Sequence, residues 1–109
     1  MDLKSLKCVA CRGGEPTLKG GELAKYKDSV DPSWKLYARD TKIKREFEFK
    51  NFKEALEFVN KVGELAEAEG HHPNIYLHSY KKVGVELWTH KIGGLHQNDF
   101  ILASKIDLL

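Results

Sequence analysis

The strongest hydrophobic pattern of the chain lies in its middle, over residues 52–69. Apolar side chains recur there at three- and four-residue spacing, which is the period of one helix face. They are Phe52, Ala55, Leu56, Val59, Val62, Gly63 and Ala66. Asn51 can cap the first turn, with Glu54 placed to reach back to it. Gly70 suits the left-handed position after the last turn, and Pro73 stops the helix from resuming. The pattern therefore predicts a helix over 52–69 with a sharply defined end.

Alternation of apolar and polar residues predicts strands on both sides of this helix. The four segments are residues 34–39, 43–49, 74–79 and 82–89. Asp40 and Thr41 are expected to turn the first pair, and Lys81 lies near the turn of the second. In the second segment Ile43 and Phe47 share one face, while charges of both signs occupy the other. Mixed charges favour a solvated sheet face over a binding stripe.

Shorter helices are predicted near the two ends, over residues 22–27 and from Asn98 onward. The apolar side of the last helix is Leu102, Ile106 and Leu109. Asp99 lies in its first turn, where a carboxylate suits the helix dipole. The order α-β-β-α-β-β-α predicts an α+β fold, a four-stranded antiparallel sheet with helices packed on one face. The opposite face is then solvated or paired with another subunit.

Length and composition narrow the class of protein. A chain of 109 residues fits a single domain, 1–109, in which the Gly- and Pro-punctuated segment 1–33 is expected to be loosely structured. A net charge of +2 disfavours a dedicated nucleic-acid binder. No apolar stretch approaches the roughly 20 residues of a membrane helix, and the first residues lack the apolar core of a signal peptide. We therefore expect a cytoplasmic protein with no membrane or nucleic-acid partner.

The two cysteines, Cys8 and Cys11, form a Cys-x-x-Cys pair. Such a pair can be half of a zinc site or a redox pair. A zinc site needs two more ligands, and neither a second cysteine pair nor a thioredoxin-like βαβ pattern accompanies this one. A structural or incidental role is favoured.

Three histidines stand out because of their positions. His71 and His72 directly follow the helix end, and His90 ends the last strand. A turn near Lys81 places residue 90 opposite residue 72, so the three can converge at one end of the sheet. Imidazole donates and accepts protons near neutral pH, although histidines at such junctions are often plain surface residues. The mid-strand and loop histidines, His78 and His96, are interpreted as bystanders.

A metal centre is the alternative use of the same histidines, because catalytic zinc takes three protein ligands. Adjacent histidines in extended chain tend to point to opposite faces, which works against His71 and His72 binding one ion together. No His-x-His or His-x3-His spacing occurs, and no carboxylate lies at a typical ligand offset. The pattern disfavours a metal site.

The segment Glu67–Pro73, with the sequence EAEGHHP, resembles the motif of the pterin-4a-carbinolamine dehydratase family. The similarity continues downstream through Tyr80, Val83, Val85, Leu87, Thr89, His90, Gly94, Leu95, Asp99 and Leu102–Ser104. It continues more loosely upstream through Trp34, Arg45, Phe47, Phe49, Phe52 and Ala55. The resemblance covers residues 34–109, whereas residues 1–33 depart from the better-known animal members.

This resemblance implies the same α+β fold and the dehydration of 4a-hydroxytetrahydropterin to quinonoid dihydropterin, with no metal or cofactor. That reaction recycles the pterin used by aromatic amino-acid hydroxylases. Family members form dimers and tetramers, so a homodimer or homotetramer is expected. By resemblance His71 and His90 are the acid and base, and His72 orients the pterin or shares the proton transfer. The expected substrate contacts are Glu67, Trp34 and Asp99.

Each of these contacts has a plainer alternative. Glu67 can accept two hydrogen bonds from the guanidine-like edge of a pterin, or be a solvated helix carboxylate. Asp99 can orient a histidine or cap the last helix, and Trp34 can wall the site or pack in the core.

Two other functions compete with the dehydratase. One is a small dimerisation or interaction module with vestigial or regulatory histidines, since some animal members also bind a transcription factor. The intact His71, His72 and His90 favour catalysis over that role. The other is a metal-binding protein, which chelator-resistant activity would exclude.

Overall fold

The computed structural model describes residues 1–10 and 12–109, and its main elements follow the predicted α-β-β-α-β-β-α order. They are α1 (Gly20–Lys27), β1 (Lys35–Tyr37), β2 (Lys42–Glu48), α2 (Phe52–Glu69), β3 (Asn74–His78), β4 (Lys82–Leu87) and α3 (Gln97–Ile106). Short 3-10 helices add Leu3–Ser5 and His90–Ile92. Cys11 lies outside the described residues, so the structural or incidental role expected for the Cys8/Cys11 pair stays a prediction.

The four strands form one antiparallel sheet in the order β1-β2-β4-β3. Ile43, Val83, Val85 and Leu87 are at most 1% exposed and share the core with the helices. The opposite side chains, among them Lys44, Glu46 and Glu86, line an open face. The predicted α+β fold is confirmed, because period-two alternation sends one set of side chains into the core and the other toward solvent.

The first strand is shorter than predicted. Ala38, Arg39 and Asp40 have φ values of 53°, 56° and 62°, so the chain turns before position 40. Thr41 closes the turn, since its N–H and its Oγ1 both donate to the Ala38 carbonyl at 3.2 and 2.6 Å. Three successive left-handed residues cannot continue a strand, which explains the early end of β1 at Tyr37.

Helix α2 has the predicted bounds, N-cap and C-terminal glycine, but Glu54 Oε1 accepts the Lys50 N–H at 3.2 Å instead of reaching back to Asn51. Asn51 Oδ1 accepts the Glu54 N–H at 2.9 Å, and Gly70 follows in the left-handed conformation with φ 66°. The buried side chains are Ala55, Phe58, Val62 and Ala66. The predicted apolar face was wrong at Phe52 and Leu56, which are 50% and 42% exposed. Phe58 packs on the sheet instead, because the core-facing stripe is centred one residue position away.

Helix α3 begins at Gln97, one residue before the prediction, and is almost wholly buried. Leu109, predicted on its apolar side, follows the helix end and is 47% exposed. The segment predicted to be loosely structured contributes four side chains to the core: Leu3, Leu18, Leu23 and Val30. Within the described residues, no helix is both long enough and apolar enough to cross a bilayer.

Candidate functional site

The end of α2 fixes the position of the first histidine. Gly70 adopts φ 66°, and the next N–H, that of His71, donates to the Ala66 carbonyl at 3.2 Å. This hydrogen bond is typical of a helix that ends at a left-handed glycine. The left-handed residue turns the chain away from the helix axis directly before His71. The His71 side chain is 13% exposed at the resulting junction.

A buried carboxylate holds the ring of His71. His71 Nε2 lies 2.6 Å from Asp99 Oδ1, and Asp99 is 0% exposed. The other oxygen, Oδ2, accepts from Thr89 Oγ1 at 2.8 Å and from the His96 N–H at 3.0 Å. Three donors satisfy the buried carboxylate. A carboxylate accepts only, so Nε2 carries the proton it shares with Asp99.

Asp99 also caps α3, so both alternatives that the sequence left open for it apply. It accepts from the N-cap residue His96, whose Nδ1 in turn accepts the Asn98 N–H at 3.1 Å. This reciprocal pair forms a capping box. Asp99 is fully buried and lies behind the His71 ring, so its predicted substrate contact gains no support from this position.

His72 and Glu67 form a second, exposed pair. His72 Nε2 lies 2.5 Å from Glu67 Oε2, and the two side chains are 63% and 78% exposed. Glu67 therefore contacts one of the predicted histidines directly. An exposed pair of this kind contributes little to stability but leaves both groups accessible to a ligand.

The structure places His90 just past the last strand, in the 3-10 helix His90–Ile92. Its ring stacks on Trp88 with centroids 4.1 Å apart and an interplanar angle of 30°. The predicted register was wrong by two residues: Asn74 pairs with Glu86, and continuing that pairing puts residue 72 opposite 88. The hairpin is centred on Tyr80 rather than Lys81. Because the register differs from the prediction by two residues, an even number, every side chain stays on its predicted face of the sheet.

The three predicted histidines share one cavity of about 510 Å³. Its lining residues are Val9, Ala10, Gly70, His71, His72, Pro73, Asn74, Trp88, Thr89, His90, Lys91 and Asn98. Trp34 does not line it; that residue is 0% exposed and donates Nε1–H to Asp107 at 2.9 Å in the core. The volume suits a small organic ligand rather than a single ion.

A larger cleft of about 870 Å³ lies on the open sheet face and is lined by His78, among others. His78 contacts Glu46 there, and the lining carries charges of both signs. This arrangement resembles a solvated sheet face, as the mixed charge pattern indicated.

Neither a metal nor a reactive thiol is indicated by the described residues. Within residues 1–10 and 12–109, no three His, Cys, Asp or Glu side chains are arranged to hold a metal ion. Burial, with the nearby Glu69 carboxylate, raises the pKa of the Cys8 thiol to about 12. That thiol is protonated at neutral pH and is a poor nucleophile.

Sequence reasoning missed the residues that build the pocket's N-terminal wall. Glu69 Oε1 accepts the Cys8 N–H at 2.9 Å, and Glu69 Oε2 lies 2.8 Å from Lys105 Nζ. Asn98, 1% exposed, binds the backbone of Val9. Helical spacing could have identified Glu69, because it lies three residues after Ala66 on the buried face of α2. The sequence carries no comparable signal for Asn98.

Glu69 makes the attachment of this wall depend on pH. Burial disfavours its charge, but the hydrogen bonds from Lys105 and the Cys8 N–H, with the Lys105 charge, outweigh burial and lower its pKa. A carboxyl whose pKa falls on folding stabilises the fold above its ordinary pKa, about 4.5. That contribution is lost as pH falls through the folded value.

We therefore expect Glu69→Gln to lower the unfolding free energy at pH 7 by about 1–3 kcal/mol. The variant should also lose less stability than wild type between about pH 5 and pH 3, because it lacks this titrating group. Urea denaturation at pH 7 measures the first effect, and urea denaturation at about pH 5 and pH 3 measures the second. Glu64→Gln, at an exposed position of α2, is the matched control. An equal acid loss in Glu69→Gln and wild type would contradict the assignment.

Comparisons with known proteins match this chain along most of its length. The family model described as pterin 4 alpha carbinolamine dehydratase matches residues 16–109. A protein of Methylococcus capsulatus, provisionally named a pterin-4-alpha-carbinolamine dehydratase, is 51% identical over 98% of this chain and 92% of its own length. A relative from Alkaliphilus metalliredigens with the same provisional name is 46% identical over 97% and 94%.

Two solved structures share the fold. The transcriptional coactivator/pterin dehydratase of Brucella melitensis has a TM-score of 0.77 at 29% identity, covering 85% of this chain and 97% of that one. A pterin dehydratase-like RuBisCO assembly factor of the α-carboxysome has a TM-score of 0.60 at 22% identity, over 70% and 87%. The second likeness concerns the fold alone. The family match over residues 16–109 and the two bacterial relatives show that this chain belongs to the pterin-4a-carbinolamine dehydratase family.

Proposed function

We propose that this protein dehydrates 4a-hydroxytetrahydropterin to quinonoid dihydropterin by histidine general acid–base catalysis. One observation carries the proposal: His71, His72 and His90 line the same cavity, and the buried Asp99 carboxylate fixes the ring of His71. Family membership makes a pterin carbinolamine the natural substrate class.

The reaction needs two proton transfers. The C4a hydroxyl leaves as water after receiving a proton, and N5 loses a proton as the C4a–N5 double bond forms. His71 and His90 share these two transfers, one as acid and the other as base. Asp99 accepts from Nε2 of His71, which leaves Nδ1 for the substrate, and compensates positive charge when the ring takes up a proton. No metal or cofactor is required by this chemistry.

The remaining polar groups suit binding of the heterocycle. Glu67 holds His72 and is accessible enough to accept hydrogen bonds from the amino-pyrimidine edge of a pterin. His72 orients the ring or shares the proton transfer. Trp88, stacked on His90, offers an aromatic surface at the cavity wall.

We extend the proposal to the physiological role and the oligomeric state of the protein. The physiological task is pterin recycling in the cytoplasm, carried out by a homodimer or homotetramer. The exposed Phe52 and Leu56 of α2 form an apolar surface that a second copy can cover.

The proposal is tested by the dehydration of chemically generated 4a-hydroxytetrahydropterin, followed by ultraviolet absorbance. We expect the wild-type protein to accelerate the reaction at least about 10²-fold over background, as general acid–base catalysis permits. Added EDTA should leave the rate unchanged. Absence of acceleration would refute the dehydratase proposal, and loss of activity with EDTA would restore the metal alternative.

An interaction module is the second candidate, and the exposed apolar residues of α2 are the observation that favours it. One solved relative is described as a transcriptional coactivator/pterin dehydratase, so the two roles are named together for that protein. If the wild-type protein fails to accelerate dehydration, this second candidate gains support.

A further inference from the structure

The histidine cavity has a wall that the proposed chemistry does not use. Val9 and Ala10 line the cavity together with His71 and His90. They belong to residues 7–10, which we call the N-terminal strap. Val9 is 53% exposed although its side chain is branched and apolar. An accessible apolar side chain on the wall of a polar cavity is suited to contact a ligand.

The strap is held firmly through its backbone. The Val9 N–H donates to Asn98 Oδ1 at 3.0 Å, and Asn98 Nδ2 donates to the Val9 carbonyl at 2.6 Å. The buried amide thus satisfies both backbone groups of one residue, as a neighbouring strand would. The Cys8 N–H is bound by Glu69, which pairs with Lys105. Side chains from α2 and α3 therefore fix the strap.

Consecutive residues of α3 hold the two sides of the cavity. Asn98 binds the strap, and Asp99 binds His71. Because both lie in the first turn of one buried helix, the strap and the histidine cannot shift independently without disturbing that turn. This arrangement sets the width of the cavity between Val9 and His71.

We propose that the N-terminal strap is a specificity wall of the pterin pocket: Val9 contacts the substituent that a pterin carries at C6, and Asn98 is the positioning residue that holds Val9. The inference rests on the proposed dehydratase function. In a pterin, C6 is bonded to N5, the atom that loses a proton. With N5 at the histidines, the C6 substituent therefore lies beside the reacting edge and extends along the cavity wall. Contact between Val9 and this substituent removes the apolar surface of the Val9 side chain from water.

Equilibrium binding of two oxidised pterins tests the role of Val9. Biopterin carries a three-carbon substituent at C6, and pterin itself carries none. Isothermal titration calorimetry measures the dissociation constants. We expect the Val9→Ala variant to bind biopterin with a dissociation constant about threefold that of wild type, because part of an apolar contact is lost. The value for unsubstituted pterin should change less than about twofold. Leu6→Ala is the matched control, because Leu6 is 45% exposed just before the strap and does not line the cavity.

Asn98→Asp tests the positioning role. The carboxylate still accepts the Val9 N–H, but an oxygen replaces the amide that donates to the Val9 carbonyl. A negative charge at the second residue of α3 suits the helix dipole, and thermal unfolding of the variant checks that the helix start is retained. We expect KM for the 6-substituted carbinolamine to rise about tenfold, a loss typical of one broken buried hydrogen bond, and to rise more than kcat falls. A fall in kcat at unchanged KM would show that Asn98 acts through Asp99, which overturns its role in holding the strap.

The outcomes separate this inference from the function on which it rests. Unchanged or equally weakened binding of the two pterins by Val9→Ala overturns the specificity wall, while wild-type binding and catalysis leave the dehydratase proposal standing. A wild-type protein that binds neither pterin and gives no acceleration removes both. Selective loss of biopterin binding in Val9→Ala, with Leu6→Ala unchanged, supports the wall.

Discussion

Replacing His71 or His90 with alanine is expected to lower kcat for carbinolamine dehydration by about 10²–10⁴-fold in each case, the contribution of one general acid or base. The two rings line one cavity, and each proton transfer needs a group within hydrogen-bond reach of the substrate. Stopped-flow absorbance with saturating 4a-hydroxytetrahydropterin measures kcat for each variant. The double variant should lose little more than either single one, because residues that act as a unit are not additive.

His78→Ala is the matched control for these variants. His78 has a 45% exposed side chain on the open sheet face, where it contacts Glu46 rather than the histidine cavity. Its kcat should remain within about twofold of wild type, as for an ordinary surface substitution. If His78→Ala lost as much activity as His71→Ala, the site would be misplaced. If His71→Ala and His90→Ala kept more than half of the wild-type kcat, acid–base catalysis by these rings would be excluded.

The pH profile gives these variants a second readout. One acid and one base acting together produce a bell-shaped dependence of kcat/KM on pH. Each single variant should lose one limb of the bell, and the limb that disappears tells which histidine is the acid. Loss of the same limb in both variants would mean that the rings act in one proton transfer rather than two.

The fold was predictable because its determinants are local. Helix α2 is specified by periodic apolar residues, an asparagine cap and a left-handed glycine, and the structure has the same bounds. The strands follow from period-two alternation, which also assigns their faces. The strand ends were less predictable: Asp40 signals a turn, but the turn begins at Ala38 and Arg39, left-handed non-glycine residues that carry no composition signal.

Long-range polar contacts could not be predicted from the sequence. Arg45 interrupts the apolar face of β2 because it pairs with Asp107 of the α3 end at 2.8 Å, across 62 positions of the chain. The same carboxylate accepts the Trp34 Nε1–H, which draws that ring into the core. The partners of such buried polar groups depend on tertiary packing rather than on local spacing.

The candidate site shows the same division. His71, His72 and His90 were predicted together from their positions at element ends, and the structure places them in one cavity. The strap that completes the wall comes from a segment in which glycine and proline signals suggested only loop. Its partners, Glu69 and Asn98, are recognised only once α2 and α3 are packed.

The exchange Asp99→Asn is expected to lower kcat by about 10²–10⁴-fold while preserving the shape of the site, by comparison with the carboxylate-to-amide change in a catalytic triad. Oδ2 accepts from both Thr89 and the His96 N–H, so the amide oxygen of asparagine should occupy that side. The amide NH₂ then faces His71 Nε2, which must become an acceptor. The imidazole proton moves to Nδ1, and the nitrogen presented to the substrate loses its lone pair.

A double-mutant cycle distinguishes this tautomer effect from general damage to α3. If Asp99 acts through His71, Asp99→Asn should change kcat little in a His71→Ala background, so the two losses are strongly non-additive. Additive losses would instead mean that the amide disturbs the helix start or the position of Thr89. Thermal unfolding of Asp99→Asn and His71→Ala monitors that structural effect. We expect Asp99→Asn to lower the free energy of unfolding by about 1–2 kcal/mol, because the helix cap is weakened. A large kcat loss with a small stability loss and strong coupling to His71 would identify Asp99 as the residue that sets which nitrogen of the catalytic ring faces the pterin.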